Sequence, residues 1–179
     1  SFDLGSHRGN SDFDIRHLAV LSWSYKLPFG RNMRYGSRAS GMEQALIGGW
    51  QLNSIDNFST GSPFTPVMAS SLLNAGSTTQ WPNRIGSGKV AHRTINQWFN
   101  TADFVSPGNY TFGDSGRNIL YGPGTKQIDV SAFKNIELGA NETRYIQSRV
   151  ETFNVFNTPQ FNNPNSQSRN TAAGTITSA

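Results

Sequence analysis

A chain of 179 residues is long enough for one domain with its own core. Its 35% hydrophobic and 15% charged content is low for a soluble globular protein, and the polar mass sits in Asn, Ser, Thr, Gln and 18 Gly, which fits β-structure with long polar loops. The net charge of +4 arises from 15 basic and 11 acidic residues with no Lys/Arg run, and there is no cysteine, which argues against nucleic acid as a partner and excludes disulfides and thiolate metal sites.

The opening Ser1-Phe-Asp-Leu4 carries neither a signal peptide nor an initiator Met and reads as an internal or processed piece of a longer chain. No apolar run approaches the length of a membrane helix. Residues 1–16 are polar, and Asp12-Phe-Asp-Ile-Arg16 leads into a first strand at about 17–27 with Ala19, Leu21, Trp23, Tyr25 and Leu27 on one face. Pro28-Phe-Gly30 ends it, a basic connector follows, and Met42–Ile47 forms one helical turn. Gly48-Gly-Trp50 opens a second strand at about 49–60, with Trp50, Leu52 and Phe58 on its apolar face. The loop 61–125 is rich in Gly, Asn, Ser and Thr; a short helix is expected over Ile95–Phe99, capped by Thr94. A connector this long inside a compact domain tends to be functional.

Residues 126–157 read as a long β-hairpin. Ile128, Val130, Ala132, Ile136 and Leu138 share one face, with Lys134 the exception, while Gln127, Asp129, Ser131, Asn135 and Glu137 share the other. A turn at Gly139–Glu142 leads into an arm at about 143–156 whose polar face carries Gln147, Arg149 and Glu151. Arms of about 13 residues span roughly 43 Å, against about 5–6 residues for an ordinary strand, which suggests a transmembrane barrel or an extended β-assembly. After Pro159 the chain is Asn-rich, with one weak strand at Thr175–Thr177. The expected fold class is therefore all-β: one domain of long antiparallel strands with a long polar loop and polar segments at 1–16 and 157–179.

An ordered series of short motifs spans nearly the whole chain. It runs Asp14-Ile-Arg-His17, Leu27-Pro-Phe-Gly30, Gly48-Gly-Trp-Gln-Leu52 and Gly61-Ser-Pro-Phe-Thr-Pro66. Trp98-Phe-Asn100, Phe104, Phe112-Gly113, Gly116-Arg-Asn118, Gly122-Pro-Gly124, Phe133-Lys-Asn135 and Phe153-Asn-Val-Phe-Asn157 follow. The series resembles the C-terminal β-barrel portion of Oar-like TonB-dependent outer-membrane receptors. The resemblance implies a non-enzymatic outer-membrane barrel with an N-terminal plug, energised through TonB; plug and TonB box have no counterpart here, so the chain itself carries no sign of transport, and its strands form an incomplete barrel sheet that lacks the family's closing strand. The polar hairpin face would then line the lumen and the apolar face would meet lipid. Four long strands cannot close a barrel whose smallest relatives have eight, and open edges invite pairing. Asp56, Ser148 and Thr152 also fall on the apolar face. An alternative follows: a subunit of an extracellular filament built by β-strand donation, with 1–16 or 160–179 as donor. Partners are thus copies of the chain or the remainder of a barrel, in the outer membrane or at the cell surface.

No cofactor, metal or catalytic residue is expected. His7, His17 and His92 lack zinc-enzyme spacing. Asp12 and Asp14 read as a solvated turn rather than a calcium site. Gly86-Ser-Gly-Lys89 lacks the spacing of a phosphate loop, and Gly113-Asp-Ser-Gly116 reads as a turn. Asp129, Glu137, Gln147, Arg149 and Glu151 form a candidate polar ladder, in which Arg149 pairs across strands with Asp129, Asn135 or Glu137 or meets an anionic solute. Trp81, Trp98, Phe99, Phe104, Tyr110 and Phe112 are candidate loop anchors. Asn57, Asn109 and Asn141 lie in Asn-x-Ser/Thr sequons, of which Asn141 is expected to be the most accessible.

Overall fold

The computed structural model describes residues 5, 7–74, 76, 79–138 and 144–179. The strands are β1 (Leu18–Lys26), β2 (Trp50–Ser59), β3 (Pro63–Phe64), β4 (Val67–Met68), β5 (Asn83–Arg84), β6 (Phe104–Val105), β7 (Leu120–Tyr121), β8 (Thr125–Glu137), β9 (Tyr145–Thr152) and β10 (Gln167–Ser168). One α-helix, α1 (Gly41–Ile47), and a 3-10 turn at Thr101–Asp103 complete the elements. The fold class is all-β, mainly antiparallel and not closed into a barrel. The chain divides into two compact units. The loop unit is Ser1–Leu18, Ser59–Thr125 and Pro159–Ala179; the sheet unit is Ala19–Phe58 and Lys126–Thr158.

The sheet unit is a meander in the order β1-β2-β8-β9, with β1 and β9 at its edges. The expected hairpin is present, with Val130 opposite Thr152, Phe133 opposite Arg149 and Glu137 opposite Tyr145. Its turn, 139–142, lies outside the described residues. The second arm is shorter than the alternation predicts. It stops at Thr152 because Asn154 adopts φ 49 and its N–H turns to the Asp129 carboxylate at 2.8 Å. The residue before β2 is a glycine for a steric reason. Gly49 has φ +72, and a Cβ there would strike the Asn135 carbonyl. The helical turn over Met42–Ile47 forms as α1, one residue longer.

The loop unit is not the featureless connector that its composition suggests. It holds three two-stranded ladders: β3 with β7 and β5 with β6, both antiparallel, and β4 with β10, parallel. Its core is Phe64, Phe99, Phe104 and Leu120, with Trp98 and Ile119 packed against it. Gly88, at φ +72, lets the backbone lie against Phe104 and Leu120, where a Cβ would intrude. The helix expected over Ile95–Phe99 does not form. Thr94 Oγ1 does accept the Gln97 N–H at 3.1 Å, but the next donors are taken elsewhere: Trp98 N–H bonds Gly174 O and Asn100 N–H bonds Gly88 O. Long-range ladders thus outcompete propagation of a short helix. Thr175–Thr177 is not a strand either, although the Ile176 N–H reaches Ile95 O at 2.7 Å.

Candidate functional site

The β8–β9 register sorts the sheet into two faces. The polar face carries Gln127, Asp129, Ser131, Asn135 and Glu137 from β8, and Gln147, Arg149 and Glu151 from β9. All five candidate ladder residues therefore share one face. Gln147 Nε2 donates to Asn135 Oδ1, directly across the strands, at 2.9 Å. Arg149 departs from the expected pairing. Its partner across the strands is the Phe133 ring, 4.8 Å from the guanidinium carbon, and its ion pair is with Glu151 on its own strand. Phe133 sits on the polar face, where a charge over its π-cloud replaces a carboxylate. Asp129 accepts from Gln127 Nε2 at 3.1 Å and from the Asn154 N–H, and Glu137 lies opposite Tyr145. On β2 the same side carries Gln51, whose Nε2 donates to Ser24 Oγ at 3.0 Å and to Asn53 Oδ1 at 2.9 Å. A shallow hollow of about 450 Å³ lies here among Ser24, Asn53, Ser131, Arg149 and Glu151. It presents amides and hydroxyls, the paired Arg149 and Glu151, Asp129, and the apolar Ile55, Phe133 and Phe153.

The opposite face exposes Leu21, Trp23, Tyr25, Ile146 and Val150. Most polar side chains along it are turned to protein acceptors. Thr152 Oγ1 donates to Val130 O at 3.0 Å, and Ser54 Oγ approaches both Asp129 O and Asp56 Oδ1. Lys134, the exception in the alternation, is only 7% exposed; its ammonium donates to Leu46 O at 3.2 Å and to Gly48 O, and lies 5.1 Å from the centre of the Trp50 ring. It therefore satisfies carbonyls left open at the C-terminal end of α1.

In the loop unit the anchors divide. Phe99 and Phe104 are core residues, and Trp98 packs on them while its Nε1–H donates to Tyr121 O at 2.8 Å. Trp81 is half-buried, with its ring 4.8 Å from that of His7. Tyr110 and Phe112 stand outward, each 72% exposed, because the turn at Gly108–Thr111 projects them away from the core. Asn109 is exposed in that turn, Asn57 lies half-buried within β2, and Asn141 lies outside the described residues.

The polar segment before β1 contains the expected solvated turn, closed by the Asp14 N–H on Ser11 O at 3.0 Å with Asp12 exposed, and it is also strapped to the rest of the loop unit. Asn118, 3% exposed with φ 53, donates through Nδ2 to Asn10 O at 2.7 Å and Asp12 Oδ1 at 2.6 Å, while its Oδ1 accepts from Thr65 Oγ1 at 3.0 Å. Arg117 pairs with Asp12 at 2.8 Å, and Arg16 stacks 4.3 Å over the Tyr121 ring. Asn118 and the buried Gln80, which joins the Leu72 N–H to Thr111 O, escape sequence reasoning. Only Gly116-Arg-Asn118 left a trace, as one motif of the series. Gly86-Ser-Gly-Lys89 holds a carboxylate of its own chain, since the Gly88 N–H donates to Asp103 Oδ2 at 2.7 Å. In Gly113-Asp-Ser-Gly116, Asp114 accepts the Arg84 N–H. His17 opens β1 with its N–H on Thr60 Oγ1, and His92 is exposed. Among the described residues no cluster of His, Asp or Glu could hold a metal ion, and no helix is long and apolar enough to cross a membrane.

The hydrogen bond from Asn118 holds the Asp12 carboxyl below the ordinary carboxylate range, opposed by desolvation and helped by the Arg117 pair. A carboxyl lowered by folding contributes stability above its unfolded pKa and loses it as pH falls through the folded one. The strap is therefore expected to hold through mildly acidic pH and loosen only below the usual carboxylate range. Hydrogen exchange at residues 8–16 across that range checks this, and Asp12→Asn should flatten the response.

A family model described as an outer membrane beta barrel domain matches residues 1–179, and the chain belongs to that family. No curated protein and no solved structure matches it significantly.

Proposed function

We infer that this outer-membrane β-barrel domain is the C-terminal barrel segment of an Oar-like TonB-dependent receptor, a non-enzymatic wall of a pore. The observation that carries the reading is the sheet itself. It has four adjacent strands of 9, 10, 13 and 8 residues, with a laddered polar face and an exposed apolar face. A tilted membrane-spanning strand needs about 9–11 residues. The edges β1 and β9 are where the remaining barrel strands pair.

On this reading the meander supports one sidedness. Connections 27–49 and 138–144 leave one end of the sheet; the loop 60–124, the segment before β1 and the segment after β9 leave the other. Outer-membrane barrels keep short turns in the periplasm and long loops outside. The loop unit is accordingly the extracellular part, its Phe99–Phe104 core giving the external loops a fixed shape. The filament alternative requires release of its donors. Residues 10–12 are strapped by Asn118, and the tail is bonded at Gln167–Ser168 and Ile176 within the loop unit.

The protein is expected to fractionate with outer membranes, to need detergent for extraction, and to migrate faster in unheated than in heated denaturing gels. Filaments that pellet without detergent would instead establish the strand-donation reading.

A further inference from the structure

The connector between β1 and β2 carries an apolar surface that the barrel wall does not explain. α1 turns Gln44 inward, where its Oε1 accepts the Arg31 N–H at 2.5 Å and a Cβ on Gly30 or Gly48 would strike its side chain. Gly41, Gln44 and Ala45 line a hollow of about 550 Å³ with Lys26, Gln51 and Glu137. One helical turn apart on the other side, Met42 and Leu46 are 80% and 66% exposed. The C-terminal end of α1 is held from the apolar face of the sheet. Both the Lys134 ammonium and the Trp50 indole N–H, at 2.9 Å, bond Leu46 O. The backbone at Leu46 is thereby tied to Trp50 and Lys134 of the sheet. The flanking charge is one-sided: Arg34 and Arg38 are exposed, and Arg31, whose Nε donates to Ala39 O, lines the hollow, against Glu43 alone between Leu27 and Gly49.

We propose that the Pro28–Gly49 connector is a membrane-interface foot, in which α1 seats Met42 and Leu46 at the headgroup–acyl boundary of the phospholipid leaflet while the arginines meet anionic headgroups. An exposed apolar pair flanked by cations, on a helix tied at Leu46 to Trp50 and Lys134 of the sheet's apolar face, has the chemistry of an interfacial segment. Trp50 takes the place that amphipathic rings occupy at a bilayer boundary. The inference rests on the outer-membrane reading and extends it.

The chain has no cysteine, so single thiols at Met42, Leu46, Glu43 and Val150 report cleanly. The full protein carrying each, labelled with an environment-sensitive dye, is reconstituted in phosphatidylcholine–phosphatidylglycerol vesicles doped with shallow or deep spin-labelled lipids. The expected result is severalfold stronger quenching at 42 and 46 by the shallow label than by the deep one, deep quenching at Val150, and quenching at Glu43 by aqueous iodide. If Val150 is quenched by lipid while 42 and 46 respond to iodide, the foot is overturned and the barrel reading stands. Dyes at 42 and 46 shielded from both lipid and iodide would mean a protein partner covers them, which also overturns it. Failure at Val150 itself overturns the outer-membrane reading.

Discussion

Phe99→Ala is expected to destabilise the loop unit by about 3–5 kcal/mol, the range for deleting a fully buried aromatic ring. Phe99 is 2% exposed and lies at the centre of the core, its ring 5.6 Å from Phe64 and 5.7 Å, edge-on, from Phe104. The backbone around it cannot close in to fill the void. The Trp98 N–H is committed to Gly174 O and the Asn100 N–H to Gly88 O. Phe99→Leu keeps most of the volume and should cost under about 1.5 kcal/mol. The measurement is amide exchange at Trp98, Asn100 and Gly122, whose N–H groups are bonded within this unit. An exposed aromatic provides the contrast. Tyr110→Asn removes a 72%-exposed ring at φ 59 and substitutes a residue that tolerates left-handed backbone, so stability should stay within about 0.5 kcal/mol. Equal losses for Phe99→Ala and Tyr110→Asn would mean that the core is misidentified.

Asn118→Ala should cost about 2–4 kcal/mol and free the strap. The side chain makes three hydrogen bonds; the two neutral ones contribute about 1 kcal/mol each, and the one to the solvent-exposed Asp12 carboxylate is screened by water and adds little. Alanine must also hold a left-handed backbone that asparagine tolerates, at roughly 1–2 kcal/mol. Asn118→Gly isolates the two contributions, since it removes the bonds but relieves the backbone. Hydrogen exchange at residues 8–16 should rise in both variants, with the loss in overall stability smaller for glycine. Arg117→Ala, by contrast, removes an exposed ion pair and should change stability by no more than about 1 kcal/mol. If residues 8–16 stay protected in Asn118→Ala, the strap is held by other contacts.

Local pattern decided the elements whose cause is local. The alternation of Ile128, Val130, Ala132 and Ile136 against Asp129, Ser131, Asn135 and Glu137 specifies a strand with two unlike faces, and β8 follows it. α1 was legible in Met42–Ile47, and the ordered motif series already pointed to an outer-membrane barrel, the family to which the chain belongs. Phe133 shows where such reading fails. A phenylalanine in a polar register carries no local sign that Arg149 will stack on it, because that depends on which residue lies opposite.

The sequence by itself therefore determined the long strands, their polar and apolar sides and the presence of aromatic anchors, because strand periodicity is written residue by residue. Only the tertiary structure decided which anchors are core, that Ile95–Phe99 stays a turn, and that Asn118 grips residues more than 100 positions away. It also decided that Lys134, which breaks the apolar pattern, completes the end of a helix. The physical reason is common to all four. A buried donor, acceptor or ring takes its partner from wherever the chain returns in space, and the return path of β4, β7 and β10 is set by long-range ladders that no short window contains.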